Sequence, residues 1–176
     1  MLVRKVMSSP VIGAMTTTTI IEAAESMRLH KVGALPVFNT TLLERLVRRS
    51  TDTGGGAGTI VVGIVTDRDI VTRGLTLPCS GFDPQMEVAS IMSHGVVTCY
   101  ENQDVLEAAG RMGEHRIRRL LVLDISGSPV GILSLGDIAE HVSEALAGQV
   151  LGEVTELRAR DAPVHPANAR HRHGVS

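Results

Sequence analysis

The chain has 176 residues, of which 43% are hydrophobic, and its formal net charge at pH 7 is -2. A chain of this length can bury one core, or two small cores that share a face, without a disulfide or a metal ion. The charge provides no positive field for phosphate backbones or anionic lipid, and three aromatic residues are too few for base stacking. Composition therefore argues against a nucleic-acid-binding protein.

The first half of the chain predicts a helix followed by a strand hairpin. Apolar residues recur at helical spacing on one face, which consists of Ile20, Ile21, Ala24 and Met27. Two apolar runs at 34–38 and 60–65 predict the paired strands. Residues 42–58 between them end in a glycine-rich run, which indicates an inserted loop with one helical turn at 42–47.

A predicted linker at 75–90 separates this unit from a second one of the same pattern. Asp83 and Pro84 predict the N-cap and first residue of a short helix that runs towards Ile91. The next predicted helix has an apolar face that consists of Val105, Leu106, Ala109 and Met112. Apolar runs at 120–125 and 129–133 predict a second hairpin, which is closed by a turn at 126–128.

The two halves align as an internal repeat. Residues 6–37 align with 91–122 at an offset of 85, and ten of these 32 positions are identical. Residues 63–70 align with 131–138 at an offset of 68, so the first copy carries 17 extra residues. Unrelated segments would share roughly one residue in fifteen, which makes duplication the better explanation. Each copy has the order β-α-β-β-α, and two copies can cover each other's open sheet faces.

The end of the chain predicts a helix and a tail. Residues 137–158 continue as an amphipathic helix, which packs either on its own domain or in the seam of a dimer. Beyond Arg160 the sequence has too little apolar surface to offset the entropy of ordering, which predicts disorder. The predicted organisation is a first repeat at 1–74, the linker at 75–90, a second repeat at 91–147, a helical extension at 148–160 and a tail at 161–176.

Each copy ends its last strand with a hydroxyl residue that is followed three positions later by an aspartate. These pairs are Thr66 with Asp69 and Ser134 with Asp137. Such a pair caps the first turn of a helix, and its carboxylate can also accept hydrogen bonds from a ribose diol. Capping and ligand binding are compatible, so both interpretations stay open at this point.

The second copy carries two arginines before its middle strand. Arg118 and Arg119 stand where the first copy has Gly33 and Ala34. They form either a solvated strand edge or a planar clamp for phosphate. Their place beside the hydroxyl–aspartate pair of the same copy favours phosphate.

These residues together resemble a cystathionine-β-synthase (CBS) domain pair of the stand-alone bacterial type. The resemblance is carried by the two alanine-containing helices, by Ala-Leu-Pro-Val at 34–37 and by Gly-Ile-Val-Thr-Asp-Arg-Asp-Ile at 63–70, and it covers residues 6–145. It implies an α+β fold in which tandem repeats pack about a pseudo-twofold axis with two clefts, and a homodimer of such pairs. It also implies an adenosyl ligand used for regulation or energy sensing, namely AMP, ADP, ATP or S-adenosylmethionine, and no required cofactor.

The resemblance assigns ligand contacts residue by residue. In one cleft Ser134 and Asp137 would bind ribose and phosphate, and Arg118 and Arg119 would bind phosphate. The apolar residues around adenine would be Val11, Ile12, Val32 and Ile132. The other cleft would use Thr66 and Asp69 for ribose and Val96, Val97, Ile117 and Ile64 for the base. Without paired arginines, this second cleft would prefer less phosphate or stay empty.

No motif of an enzyme or a metal site occurs in the sequence. There is no nucleophile elbow, no paired-carboxylate device and no histidine spacing typical of zinc. Cys79 and Cys99 form no CxxC pair, the N-terminus lacks an apolar signal core, and no apolar run reaches the roughly 20 residues of a membrane span. The sequence predicts a cytoplasmic, non-enzymatic regulator of an unidentified protein. A ligand-independent scaffold with vestigial clefts is the alternative.

Overall fold

A computed structural model describes residues 1–39, 61–75 and 83–160, with side chains up to residue 155. In these residues the protein has a mixed α+β fold with two small sheets, which confirms the predicted fold class. The predicted insertion at 42–58, its helical turn, residues 76–82 of the predicted linker and the predicted tail lie outside the described residues.

The first half of the chain forms three strands and two helices in the predicted order. A 3-10 helix at Val3–Lys5 is followed by β1 (Ala14–Met15), α1 (Ile20–His30), β2 (Ala34–Phe38), β3 (Val61–Thr66) and α2 (Asp67–Asp69), which continues as a π-helical turn at Ile70–Gly74. A capping box starts α1: Thr19 accepts a hydrogen bond from the Glu22 backbone, and the Glu22 carboxylate accepts one from Thr19 N at 2.8 Å. These hydrogen bonds from Thr19 hold the pKa of Glu22 below its usual value.

The second half repeats this order and adds a long helix. Its elements are a 3-10 helix at Val88–Ser90, β4 (Ser93–His94), β5 (Thr98–Tyr100), α3 (Val105–Glu114), β6 (Arg119–Leu123), β7 (Pro129–Ser134), α4 (Leu135–His141) and α5 (Glu144–Arg160). The predicted turn is confirmed, since Gly127 has a φ of 82° and the Asp124 carboxylate accepts hydrogen bonds from the turn backbone.

The short helix predicted from Asp83 is wrong. The chain makes a turn at 84–85 and then the 3-10 helix at Val88–Ser90. Besides local bonds such as Met86 N to Asp83 O at 3.1 Å, the backbone of this segment bonds to the first repeat: Val88 N donates to Thr18 O, and Ile20 N donates to Met86 O, both at 2.8 Å. These long-range bonds replace the local bonds that a helix would need.

The opening segments of the two repeats, residues 3–8 and 88–93, are exchanged between the repeats. One sheet has the order β1-β2-β3-β4, in which β4 comes from the second repeat and pairs with β3. The other sheet is β5-β6-β7, and Ser8 pairs with Ile132 on its β7 edge. Val3 and Val6 accordingly lie in the core of the second repeat, whereas Val88 and Ile91 lie in the core of the first.

Two glycines permit this exchange. A Cβ on Gly63 would lie 2.8 Å from the Ser93 carbonyl oxygen, and a Cβ on Gly131 would lie 2.9 Å from the Ser8 carbonyl oxygen. Backbone contacts this close leave no room for any larger residue. The glycine shared by both repeats at this strand position is therefore explained by packing.

The helical face predicted for α1 is rotated in the structure. Ile20, Ala23 and Met27 are buried, whereas Ile21 is 48% exposed. The contacts with the sheet follow the i, i+3, i+7 positions, and the neighbouring Ile21 turns towards solvent. In α3 the corresponding Leu106 is likewise 61% exposed.

The single helix predicted over 137–158 is two helices. The chain leaves the helical conformation at Val142, and the Ser143 hydroxyl then accepts a hydrogen bond from Leu146 N, which starts α5. This break turns α5 back onto α3 and α4 of its own repeat, where Val150 and Val154 join the core. Of the two placements left open by the sequence, the structure shows packing on the same domain.

Candidate functional site

Ser134 and Asp137 form a capping box at the start of α4. The Asp137 Oδ2 oxygen accepts hydrogen bonds from Ser134 N at 2.7 Å and from Ser134 Oγ at 2.6 Å. The Asp137 backbone donates in return to Ser134 Oγ at 3.2 Å. The helix-cap interpretation is therefore correct, and Oδ2 has both of its acceptor positions in use.

The other oxygen of Asp137 accepts a hydrogen bond from a residue far away in the sequence. Ser8 Oγ donates to Asp137 Oδ1 at 3.1 Å across 129 positions of sequence. Since a carboxylate oxygen accepts two hydrogen bonds, Oδ1 retains capacity for one more donor. The identity of Ser8 with Ser93 in the repeat alignment was the available signal, but nothing in the sequence links Ser8 to Asp137.

Thr66 and Asp69 form the equivalent box in the first repeat. Asp69 Oδ2 accepts hydrogen bonds from Thr66 N at 3.0 Å and from Thr66 Oγ1 at 2.7 Å. Asp69 Oδ1, however, lies 3.6 Å from Arg73 Nη1, and Asp69 is only 9% exposed. The guanidinium of Arg73 also donates to the Ile91 carbonyl at 2.9 Å, so it is fixed in place.

The two hydroxyl–aspartate pairs thus differ in how available their carboxylates are. The position of Arg73 is taken in the second repeat by His141, whose ring nitrogen bonds the Asp137 carbonyl oxygen instead of its carboxylate. Asp137 is half-buried and pairs with no cation in the described part of the chain. The Asp137 side is therefore the more open of the two.

Arg119 lies beside this carboxylate on the neighbouring strand. Arg119 and Ser134 are direct cross-strand partners of β6 and β7, and Leu135 N donates to the Arg118 carbonyl at 3.1 Å. The guanidinium of Arg119 reaches the first repeat, where its Nη2 atom would lie 2.9 Å from a Cβ on Gly33. Gly33 leaves the space that this side chain occupies between the repeats.

Arg118 borders a different feature, a groove of about 390 Å³ between α4 and α5. The groove is lined by Arg118, Leu135, Gly136, Ala139, Glu144, Ala147, Gly148 and Leu151. Arg118 is exposed, whereas Arg119 is half-buried against the other repeat. The two arginines expected to act as one clamp contact different parts of the protein.

All eight apolar residues assigned to the adenine positions are half-buried. Ile12 and Val32 pack at the margin of the first core, and Val97 and Ile117 pack at the margin of the second. Ile132 pairs with Ser8, and Ile64 pairs with Ser93, which places both beside an exchanged opening segment. Val11 and Val96 occupy equivalent places in the loops that follow these segments. Apolar side chains that are neither buried nor fully exposed suit the wall of a cleft.

Two other features bear on possible chemistry. The Cys99 thiol is 1% exposed, and its burial raises its pKa to about 11, which keeps it protonated and unreactive at neutral pH. Within the described residues no group of three or more His, Cys, Asp or Glu side chains is arranged to hold a metal ion. No helix in that same part of the chain is long and apolar enough to cross a membrane.

Similarity to known proteins agrees with this architecture. The CBS domain family model matches residues 3–48 and 88–144. The CBS domain-containing protein YhcV of Bacillus subtilis (strain 168) is 32% identical over 154 residues, which cover 87% of this chain and 94% of YhcV. The two matched segments begin 85 residues apart, as the internal repeat does.

Solved structures with this fold include complexes with adenosyl compounds. The CBS domain pair of protein MJ0100, in complex with 5-methylthioadenosine and S-adenosyl-L-methionine, has a TM-score of 0.60 and 26% identity over 82% of this chain and 98% of that chain. The CBS domain protein PAE2072 from Pyrobaculum aerophilum, complexed with AMP, has a TM-score of 0.63 and 21% identity over 85% of this chain and 98% of that chain. With its two exchanged β-α-β-β-α repeats, this chain belongs to the CBS domain family.

Proposed function

We propose that this protein is a regulatory module that binds an adenosyl ligand in the cleft at Ser134 and Asp137. The observation that carries the proposal is the remaining acceptor capacity of Asp137 Oδ1, whose one donor is Ser8 Oγ at 3.1 Å. A ribose hydroxyl can occupy that position, and Arg119 on the adjacent strand supplies a planar cation for phosphate. The ligand classes are AMP, ADP, ATP and S-adenosylmethionine.

We expect the cleft at Thr66 and Asp69 to be the weaker site, because the free oxygen of its carboxylate already has a cation beside it. A ribose hydroxyl there would compete with Arg73, which already neutralises Asp69 Oδ1 at 3.6 Å. Displacing a fixed cation from a buried carboxylate costs more than sharing an oxygen with a serine hydroxyl. We expect one ligand per chain at moderate concentrations, bound on the Asp137 side.

Ser8 links ligand binding to the packing of the two repeats, which is the basis for regulation. Ser8 lies at the end of an opening segment that crosses from the first repeat onto the second sheet. A ligand that shares Asp137 with Ser8 changes how this segment is held, and so biases the arrangement of the two repeats. Such a bias regulates another protein only if that protein prefers one of the two states.

Several finer features belong to the same proposal. We expect a homodimer in a reducing cytoplasm, no required cofactor, no catalysis and an unidentified regulated protein. Membership of the family supports the non-enzymatic role, and the complex of MJ0100 with 5-methylthioadenosine and S-adenosyl-L-methionine supports adenosyl binding in this fold.

Thermal unfolding tests the proposal with AMP, ADP, ATP, NAD and S-adenosylmethionine. A ligand at a hundred times its dissociation constant should stabilise the protein by about 2.7 kcal/mol, which raises the Tm by about 5–10 °C. Asp137→Asn should lose this shift. Asp69→Asn, which removes the matching capping carboxylate, should keep it.

The alternative is a ligand-independent scaffold with vestigial clefts. It predicts no shift with any of the five compounds, and capture of a partner at fixed stoichiometry whether or not nucleotide is present. A shift that survives in Asp137→Asn but disappears in Asp69→Asn would instead move the site to the first repeat.

A further inference from the structure

Opposite charges from the two repeats converge on Gly33. A Cβ on this glycine would lie 2.9 Å from Arg119 Nη2 and 3.0 Å from Asp67 Oδ2. Arg119 begins β6 of the second repeat, whereas Asp67 begins α2 of the first. The space left by one absent side chain thus brings the guanidinium towards a carboxylate of the other repeat.

The orientation of Asp67 is set by its own backbone surroundings. Its Oδ1 oxygen accepts a hydrogen bond from Arg68 N at 2.7 Å, and its own N–H donates to the Gly33 carbonyl at 3.3 Å. These two bonds leave Oδ2 as the oxygen that faces Gly33 and Arg119. The ion pairs found among the described residues do not include Asp67 with Arg119, so the attraction acts without direct contact.

The capping box at the start of α2 does not need the carboxylate of Asp67, although Asp67 Oδ1 accepts a hydrogen bond from Arg68 N in the first turn. The box of Thr66 and Asp69 is complete without it. In the repeat alignment Asp67 corresponds to Leu135. The second repeat forms the same type of capping box although a leucine occupies this position. The acid is therefore a difference between the repeats that stability of the helix start does not require.

We propose that Asp67 is a specificity-determining residue that disfavours phosphate-bearing ligands. Its carboxylate attracts the Arg119 guanidinium towards the first repeat and repels a phosphate that approaches the same cation. A ligand phosphate has to replace this attraction, whereas an adenosyl ligand without phosphate does not. This inference rests on the proposed binding of adenosyl ligands and names which of them the protein favours.

The effect grows with the number of phosphates on the ligand. AMP, ADP and ATP bring increasing negative charge past the same carboxylate, whereas adenosine is neutral and S-adenosylmethionine carries a net positive charge. The wild-type protein should therefore bind phosphate-free adenosyl compounds more tightly, relative to AMP, than its two adjacent arginines alone would predict. Salt should weaken the discrimination, because Asp67 is exposed.

Titration calorimetry with AMP and adenosine tests the inference. Asp67→Asn should bind AMP about fivefold more tightly, at the upper end of the range for interactions between exposed charges, and should bind adenosine within about twofold of wild type. The gain for AMP should vanish when Arg119→Gln is added, as a double-mutant cycle requires for groups that act on each other. Glu25→Gln removes one exposed negative charge elsewhere and should change neither affinity.

The outcomes separate this inference from the proposed function. If wild type binds both ligands and Asp67→Asn leaves their affinity ratio unchanged, the role of Asp67 is refuted while the adenosyl site stands. A gain for AMP that persists with Arg119→Gln refutes the route through Arg119. If no variant binds either ligand, the adenosyl site and the inference fall together. Asp67→Ser serves as a second variant should Asp67→Asn fold poorly.

Discussion

At the scale of single residues, the two capping aspartates look alike in sequence but differ in their neighbours. Both Asp69 and Asp137 accept two hydrogen bonds on Oδ2 from their hydroxyl partner. Their Oδ1 oxygens face an arginine in one case and a serine in the other. Under the proposed function, this difference is the reason why Asp137 rather than Asp69 accepts a ligand hydroxyl.

The sequence could predict the two capping boxes but not the residues that contact the Oδ1 atoms of Asp69 and Asp137. A hydroxyl residue and an aspartate three positions apart make a local motif, so the capping geometry follows from the spacing. Ser8 and Asp137 are 129 positions apart, and their contact depends on how the repeats cross. Arg73, although only four positions from Asp69, gave no signal because its repeat counterpart is a histidine.

The thiol of Cys99 provides a prediction for pH dependence. Burial raises its pKa to about 11 in the folded protein, whereas a thiol in an unfolded chain has a pKa of about 8.5. The unfolded state therefore ionises first, and stability should decline as the pH rises from about 8.5 to about 11.

Alkylation with iodoacetamide at pH 8.5, read by peptide mass spectrometry to separate Cys99 from Cys79, measures the state of this thiol. Cys99 should react at least about a hundredfold more slowly in the folded protein than in urea, because the thiolate is the reactive form. Comparable rates in both states would show that the second core does not shield Cys99.

At the scale of elements, α5 is the part that the sequence predicted least well. The apolar spacing correctly predicted an amphipathic helix, and Val150 and Val154 lie on its buried side. The break at Val142 and Ser143 could not be predicted, since both residues occur in helices and the break is stabilised by the return of α5 onto α3 and α4. Tertiary packing overrode a continuous helical pattern.

Truncation of a side chain on α5 tests this packing. Val154 is fully buried in the second core, so Val154→Ala should lower the free energy of unfolding by about 2 kcal/mol. Leu151 on the same helix is 40% exposed, and Leu151→Ala should cost about 0.5 kcal/mol. Equal and small losses in urea unfolding would contradict docking of α5 on its own repeat.

At the scale of the whole molecule, the exchange of opening segments makes the two repeats one folding unit. Each core contains residues from both ends of the internal duplication, such as Val3 in the second core and Val88 in the first. The sequence revealed the duplication and the order of elements within each copy. It could not reveal the crossing, because a repeat folded on itself and a repeat with exchanged segments have the same apolar pattern.

Val3→Ala tests the exchange of opening segments between the repeats. Val3 is fully buried, and its truncation should destabilise the protein by about 2 kcal/mol, whereas Lys5→Ala on the same 3-10 helix should have little effect. Hydrogen exchange should accelerate most at the amides of β6 and β7, although Val3 lies in the opening segment of the first repeat. Acceleration confined to β2 and β3 would mean that the opening segments are not exchanged.

The central claim is that an adenosyl ligand binds between the repeats through Asp137. A crystal structure of the protein with the compound that gives the largest thermal shift tests it most directly. We predict a ribose hydroxyl within hydrogen-bond distance of Asp137 Oδ1 and the base between Val11, Ile12, Val32 and Ile132. A ligand bound only at Asp69, or outside both clefts with Ser8 and Asp137 undisturbed, would contradict the account.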